Sequence, residues 1–272
     1  MMTSTVPELP ANRSMSSTCI AIREVSKTYQ RPGRRGDSFT ALTNVNLDIA
    51  EGEFVSLIGA SGCGKTTLLR MISGLIPTST GEIAINGRRV DGVPDRIGFV
   101  FQEPALLPWR SVRDNLAFAL QSQGLSAEQV ETAIRDKLEL TNLQDFAGYY
   151  PQALSGGMQQ RAGLARALVG DPDVLLMDEP LSALDAFTRR RLQEDIAAII
   201  STIGATTILV THEVDEAVFF SDRIVVMGTS PGQVREIVNV PLGRPRHHAE
   251  IVGNADAAKV RDHVLSLVLG LH

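Results

Sequence analysis

Cysteine is nearly missing from this chain: Cys19 and Cys63 are the only two in 272 residues. That count excludes a disulfide scaffold and any Cys-rich zinc module, and it suits a reducing compartment. Long apolar runs are missing as well. Nothing approaches the ~18 consecutive apolar residues that would cross a bilayer, so any membrane role is expected to come through a partner. The opening segment MMTSTVPELPANRSMSST has neither the basic head nor the apolar centre of a signal peptide. Residues 1–18 are expected to form a disordered polar lead, and the protein to be cytoplasmic. Basic charge is not in excess either: 26 Lys and Arg against 31 Asp and Glu leave a formal −5. Such a chain lacks the electrostatic footprint for a polyanion, so no nucleic-acid partner is expected. No internal repeat occurs. His247-His248 has no further ligands at zinc-site spacing, which leaves the pair as part of a solvated tail.

What is present is an ordinary globular composition, 43% hydrophobic and 21% charged. The length fits two domains, or one domain carrying an inserted subdomain. Apolar runs and alternation predict strands at 19–25, 41–49, 54–59, 81–90, 96–101, 173–180, 206–212, 222–227 and 233–240. Helical patterns fall at 65–75, 111–124, 126–140, 186–203, from Glu213 onward, and at 256–272. Ser126 reads as an N-cap, with Glu128 and Gln129 in the first turn. Strands alternating with helices argue for an α/β fold with a parallel sheet covered by helices. Between Ala105 and Ala167 the strand signal vanishes. Residues 103–166 therefore read as a helical subdomain set into a core formed by 19–102 and 167–240. Residues 241–248 read as a Pro/Arg/His-rich linker ahead of a terminal amphipathic helix.

Residues 59–66, GASGCGKT, fit the pattern G-x-x-x-x-G-K-[ST] and lie between a buried strand and a helix. Gly59, Gly62 and Gly64 permit backbone angles that side chains forbid. The amides of Gly59, Ala60, Ser61, Gly62, Cys63, Gly64, Lys65, Thr66 and Thr67 can then curl around phosphate oxygens at a helix N-terminus. Lys65 supplies a point charge to the outer phosphates, and Thr66 can place its hydroxyl on Mg²⁺. Cys63 serves as small filler in the loop, where alkylation is expected to block nucleotide binding. The strand DVLLMDEP ends in two carboxylates. Asp178 is placed to hold Mg²⁺ through water and Glu179 to polarise the attacking water, the parts that phosphoryl transfer needs. A third segment, LSGGMQQR at 154–161, offers Ser155 as the cap of a helix beginning near Gly156. Gly156 and Gly157 leave its first amides bare, which makes a second anion-binding helix N-terminus in one chain.

With these motifs in this order, residues 19–240 resemble the ATP-binding cassette (ABC) family, whose signature motif lies between Walker A and Walker B as 154–161 does here. The resemblance implies a P-loop NTPase (RecA-like) core with a mixed sheet and an inserted α-helical subdomain. It implies ATP hydrolysis with ATP and Mg²⁺ as ligands. In that family the signature serine and glycines contact the γ-phosphate of ATP bound to the opposite subunit. Ser155, Gly156 and Gly157 inherit that role, and the implied partner is a second cassette, identical or a close paralogue, packed head to tail. Met158 stands where Gln is usual. Gln102, after GFVF, matches the Q-loop glutamine that senses Mg²⁺ and the attacking water. Asp185 in SALD matches the D-loop residue at the neighbouring subunit. His212 matches the switch histidine that reaches the γ-phosphate. Tyr29 in VSKTYQ matches the aromatic that stacks on adenine, although the loop RPGRRGDS separates it unusually far from the next strand.

The resemblance further implies separate transmembrane permease subunits docked near Gln102, at the cytoplasmic face of a bacterial plasma (inner) membrane. Trp109 in EPALLPWRSVRDN either lines the groove that receives the permease or packs the helical subdomain. FQEPALLPW, LSGGM, LDAFTR, DEAVFFSDRIVVM and VPLGRPR look like the cassettes of nitrate, taurine, aliphatic sulfonate and bicarbonate importers, fed by an extracytoplasmic solute-binding protein. The stretch after Val240 is too short for a full regulatory domain and leaves room for a contact helix. Two rival classes remain beside an importer for another solute such as a vitamin precursor. One is a cassette ATPase acting on DNA or ribosomes, against which stand the missing coiled coil and second cassette. The other is an unrelated P-loop GTPase or kinase, against which stand the missing N-K-x-D and the unexplained LSGGM.

Overall fold

In the computed structural model, described for residues 17–30, 38–229 and 231–270, side-chain alternation buries one face of β1 (Thr18–Gln30) and of β2 (Ser38–Ala50). Ile20, Ile22 and Val25 face inward, as do Leu42, Val45, Leu47 and Ile49. The expected lead lies outside the described residues except for Ser17 and Thr18, and so does RPGRRGDS up to Asp37. All five residues of β3 (Phe54–Ile58) are buried, the state of a strand covered on both faces. α1 (Lys65–Ile72) follows and turns Leu68, Leu69, Met71 and Ile72 to the core. β4 (Thr80–Ile85) and β5 (Arg88–Arg89) form a hairpin around Asn86-Gly87, a dipeptide suited to tight two-residue turns. The single strand expected at 81–90 is thus broken by its own turn. β6 (Ile97–Val100), α2 (Val112–Leu120), α3 (Ala127–Leu140), α4 (Gly156–Leu168), β7 (Val174–Asp178), α5 (Ala186–Ile203) and β8 (Thr206–Val210) come next. α6 (Val214–Phe220), β9 (Arg223–Gly228), β10 (Gln233–Asn239), α7 (His248–Ile251) and α8 (Ala255–Leu269) complete the order.

The strands divide into two sheets. One is antiparallel with order β2-β1-β4-β5; the other has order β10-β9-β3-β8-β7-β6 and is parallel except where β10 joins β9. The parallel sheet is as expected, whereas the separate antiparallel sheet is not, because alternation reports burial and not pairing partner. α1 lies between the sheets in a core that includes Ile22, Leu42, Leu57, Leu68, Val210 and Val225. The opposite face of the parallel sheet is covered by α4 and α5 through Leu164, Leu168, Leu192 and Ile196.

α2, α3 and α4 form the helical subdomain around Val112, Leu116, Ile134, Leu138, Ala162 and Ala165. Ser126 caps α3 and makes a full capping box with Gln129. α4 belongs to both units: Ala162 and Ala165 face the subdomain, Leu164 and Leu168 the core. The boundary expected at 166 falls inside this shared helix.

The expected linker at 241–248 is fastened down. The buried Arg246 guanidinium donates to the carbonyls of Val218, Phe219, Leu242 and Gly243 at 2.6–3.1 Å, which caps the end of α6. Burial pushes its pKa down to about 10. The His248 ring stacks on Phe219 at 4.4 Å, and its backbone amide donates to Glu194. The expectation of a solvated His pair is therefore corrected: His248 gains apolar contact by lying flat on α6. α8 continues the same fold, with Val260 and Val264 packed among Ala217, Val226 and Val238. No described helix is long and apolar enough to cross a membrane.

Candidate active site

β3, β8, β7 and β6 run parallel and adjacent, so their C-terminal ends open along one edge of the sheet. Residues 59–64, 211–213, 178–185 and 101–102 leave from those ends. An open parallel sheet binds ligands at this edge. The loop 59–64 runs into α1 at Gly64, which has φ 92 and provides no side-chain cap, so the first-turn amides are free to meet an anion. Lys65 is only 6% exposed, and its ammonium donates to Gly59 O at 2.7 Å and Ala60 O at 3.3 Å. A cation wrapped by its own loop, beside bare helix-terminal amides, fits a polyphosphate chain. Cys63 is fully buried in this loop. That accords with filler and withholds the thiol from reagents, against the expected block by alkylation.

Gly232 belongs to this loop without any motif to mark it. A Cβ there would lie 2.0 Å from Cys63 O and 2.9 Å from Ala41 O. Gly232 N donates to Ala41 O, and Thr43 N donates to Gly232 O. Only a glycine fits between β2 and the phosphate loop at this distance, and the sole sequence signal is the turn dipeptide Pro231-Gly232.

Thr66 Oγ1 donates to Asp178 Oδ1 at 2.9 Å, which brings the two expected metal-binding side chains together. Burial pushes the Asp178 carboxyl above its ordinary pKa; the Thr66 bond opposes this, and neighbouring Glu179 adds to it. Among the described residues no cluster of three or more His, Cys, Asp or Glu could hold a metal. Hydroxyl, carboxylate and phosphate oxygens are nevertheless the donor set Mg²⁺ takes, completed by water. Glu179 has φ 46, a conformation uncommon outside glycine. Its carboxylate lies 3.3 Å from His212 Nδ1. Gln102 Nε2 donates to Ser182 Oγ at 3.3 Å, and Ser182 Oγ donates to Glu179 O at 3.0 Å. Gln102, Glu179 and His212 are thus linked at one place.

The second helix N-terminus has its own surroundings. Ser155 caps α4, accepting a 3.4 Å bond from Met158 N. The Met158 side chain packs against the helical-subdomain core, so the backbone does the capping whatever side chain stands there. A Cβ on Gly157 would touch Thr188, and one on Gly156 would touch Leu184. The signature therefore abuts the start of α5, and among the described residues no hydrogen bond joins 155–157 to the phosphate loop. Asp185 accepts from Phe187 N and Thr188 N as the cap of α5, and these bonds hold its carboxyl below the usual pKa. Tyr29 is 40% exposed and pairs across the strands with Phe39, equally open at 46%. Sequence reasoning missed Phe39 because the intervening loop hides the pairing. Trp109 is 71% exposed, which rules out the reading in which it packs the helical subdomain.

The sequence profile of the ABC transporter family matches residues 42–182. The chain belongs to the ABC transporter family. This cassette is 41% identical over 254 residues to a taurine import ATP-binding protein of Jannaschia sp., a match covering 92% of the chain and 94% of the relative. It is 44% identical over 241 residues to an aliphatic sulfonates import ATP-binding protein of Xanthomonas axonopodis pv. citri, covering 88% and 94%. It is also 42% identical over 256 residues to a nitrate import ATP-binding protein of Synechococcus elongatus, of which it spans 38%. A solved dimeric post-hydrolysis state of an ATP-binding cassette bound to ADP and Pi superposes with TM-score 0.70 at 32% identity, covering 82% of this chain and 100% of that one. The dimeric structure of a bacterial ABC transporter cassette gives 0.72 at 33% identity, with the same coverage. The ABC cassette described here is thus an ATPase with the α/β fold of that family.

Proposed function

We propose that this cassette is the ATP-hydrolysing subunit of an importer for a small anion of the taurine, sulfonate, nitrate or bicarbonate type. It works as a pair of cassettes at the cytoplasmic face of a bacterial plasma membrane, bound to separate permease subunits and fed by an extracytoplasmic solute-binding protein. The observation that carries the mechanism is what surrounds the second helix N-terminus: among the described residues, 155–157 make no hydrogen bond to the phosphate loop of their own chain, and a Cβ on Gly156 or Gly157 would meet Leu184 or Thr188 instead. ATP is bound between residues 59–67 of one copy and 155–157 of the other. Lys65 meets the outer phosphates, and Tyr29 stacks on the base. Thr66, Gln102 and Asp178, the last through water, hold Mg²⁺, which when bound neutralises charge on the phosphate oxygens. Glu179 polarises the attacking water, His212 contacts the γ-phosphate, and Asp185 lies at the seam.

Closure follows from charge. Both facing surfaces present positive helix ends, so they repel until a triphosphate lies between them. Hydrolysis removes the bridging phosphate, and the population returns to the open state. The exposed Trp109 forms part of the groove that receives the permease. The taurine, sulfonate and nitrate import proteins at about two-fifths identity support the anion class. Recovery of the tagged cassette from detergent-solubilised membranes tests the reading. Transmembrane permease subunits are the expected companions; recovery with ribosomes or DNA, and no membrane protein, would overturn it.

A further inference from the structure

Arg189 and Glu213 have no part in the roles above, yet they tie together the two loops that carry them. Arg189 lies in the first turn of α5, four residues after the cap Asp185. Its Nη2 donates to Leu184 O at 2.8 Å, and its Nη1 pairs with the Glu213 carboxylate. Glu213 directly follows His212 and stands at the N-cap of α6. It makes no side-chain cap bond there, since its carboxylate is committed to Arg189. Its backbone amide is held by Thr211 Oγ1 at 3.0 Å. Arg189 Nε is buried with no partner among the described residues, so the two ends of the fork make all the contacts of this guanidinium. The pair is partly shielded, with side chains 23% and 35% exposed.

We propose that the Arg189–Glu213 ion pair is a positioning strut that couples the 182–185 loop, at the seam with a second copy of this chain, to the placement of His212 on Glu179. A circuit supports this: Gln102 to Ser182, Ser182 to Glu179, Glu179 to His212, then Glu213 to Arg189 and back to Leu184. Leu184 and Thr188 also touch the ground beneath the signature glycines. A facing copy that presses on residues 182–185 thereby bears on Glu213 and, through it, on the histidine. His212 already lies 3.3 Å from Glu179 in the single chain, so the strut holds this contact in place while a facing copy bears on residues 182–185. The inference rests on the roles proposed for Glu179 and His212.

The test is steady-state ATPase and direct ATP binding on full-length Arg189→Met, Glu213→Gln, the double variant and Arg189→Lys, with Glu179→Gln alongside. Each uncharged single variant is expected to lower kcat roughly tenfold, as a misplaced catalytic group does. ATP affinity stays within about twofold, and the cooperativity in ATP falls. The double variant is no slower than either single, as coupled partners require, and Arg189→Lys recovers part of the rate. The strut is overturned if the singles hydrolyse at the wild-type rate, if their losses multiply, or if weaker ATP binding or a lower melting temperature accounts for them. A Glu179→Gln protein that turns over normally overturns the underlying reading instead, and the strut with it.

Discussion

The hydroxyl of Thr66 donates a 2.9 Å hydrogen bond to the carboxylate of Asp178, joining residues 112 positions apart in the chain. The bond links the first turn of α1 to the end of β7 and crosses above β8, which lies between β3 and β7 in the sheet. Two residue types suited to one metal ion are thus brought together by strand order and not by proximity in sequence.

The burial of Asp178 sets function against stability. Its folded pKa lies above the ordinary 3.8, so between the two values the native state binds more protons than the unfolded state. Stability therefore falls as pH rises through that window, and the loss is complete once the pH exceeds the folded value. Asp178→Asn should remove this cost and raise the melting temperature of the nucleotide-free protein at pH 7 by roughly 1–3 °C. ATPase activity should fall at least about 100-fold. Glu216, buried and likewise raised, should show the same gain on substitution by Gln. Calorimetry from pH 4 to 8 checks the sign; a lower melting temperature for Asp178→Asn at pH 7 contradicts it.

Glu179→Gln keeps the shape of the site and weakens its ability to polarise water. Turnover should drop by about 10²–10⁴-fold while ATP binding persists. Gel filtration with ATP should then show a dimer that the wild-type protein forms only transiently. Unchanged turnover would remove Glu179 from the chemistry.

Ser155 tests the shared site. Replacing a serine cap by glycine costs only a few tenths of a kcal/mol, so Ser155→Gly should leave α4 intact. In mixed dimers carrying it in one copy, the pocket of the facing copy should lose activity while the pocket of the variant copy keeps it. Loss confined to the variant's own pocket would show that 155–157 serve their own chain.

Trp109 is 71% exposed, so Trp109→Ala should shift the melting temperature by less than about 1 °C, as for surface changes generally. Basal ATPase should remain, while stimulation by permease and solute-loaded binding protein is lost. Retained stimulation would place the permease contact elsewhere.

Sequence alone determined most of what depends on neighbouring residues, the turn at Asn86-Gly87 excepted. Most strands, the caps Ser126 and Ser155, the loop 59–66 and the carboxylates at the end of β7 are visible because periodicity and helix-end hydrogen bonds act over a few positions. Their order also carried the family resemblance. Tertiary structure alone decided what lies across the gaps. Gly232 underlies the phosphate loop from a turn near the far end of the chain, and Phe39 faces Tyr29 across a strand pair. Arg246 and His248 turn a seeming linker into a clasp on α6. Arg189 meets Glu213 at a separation of 24 residues. Each of these contacts exists because burial of distant apolar faces brought the backbones together, and that global packing leaves no local pattern to read.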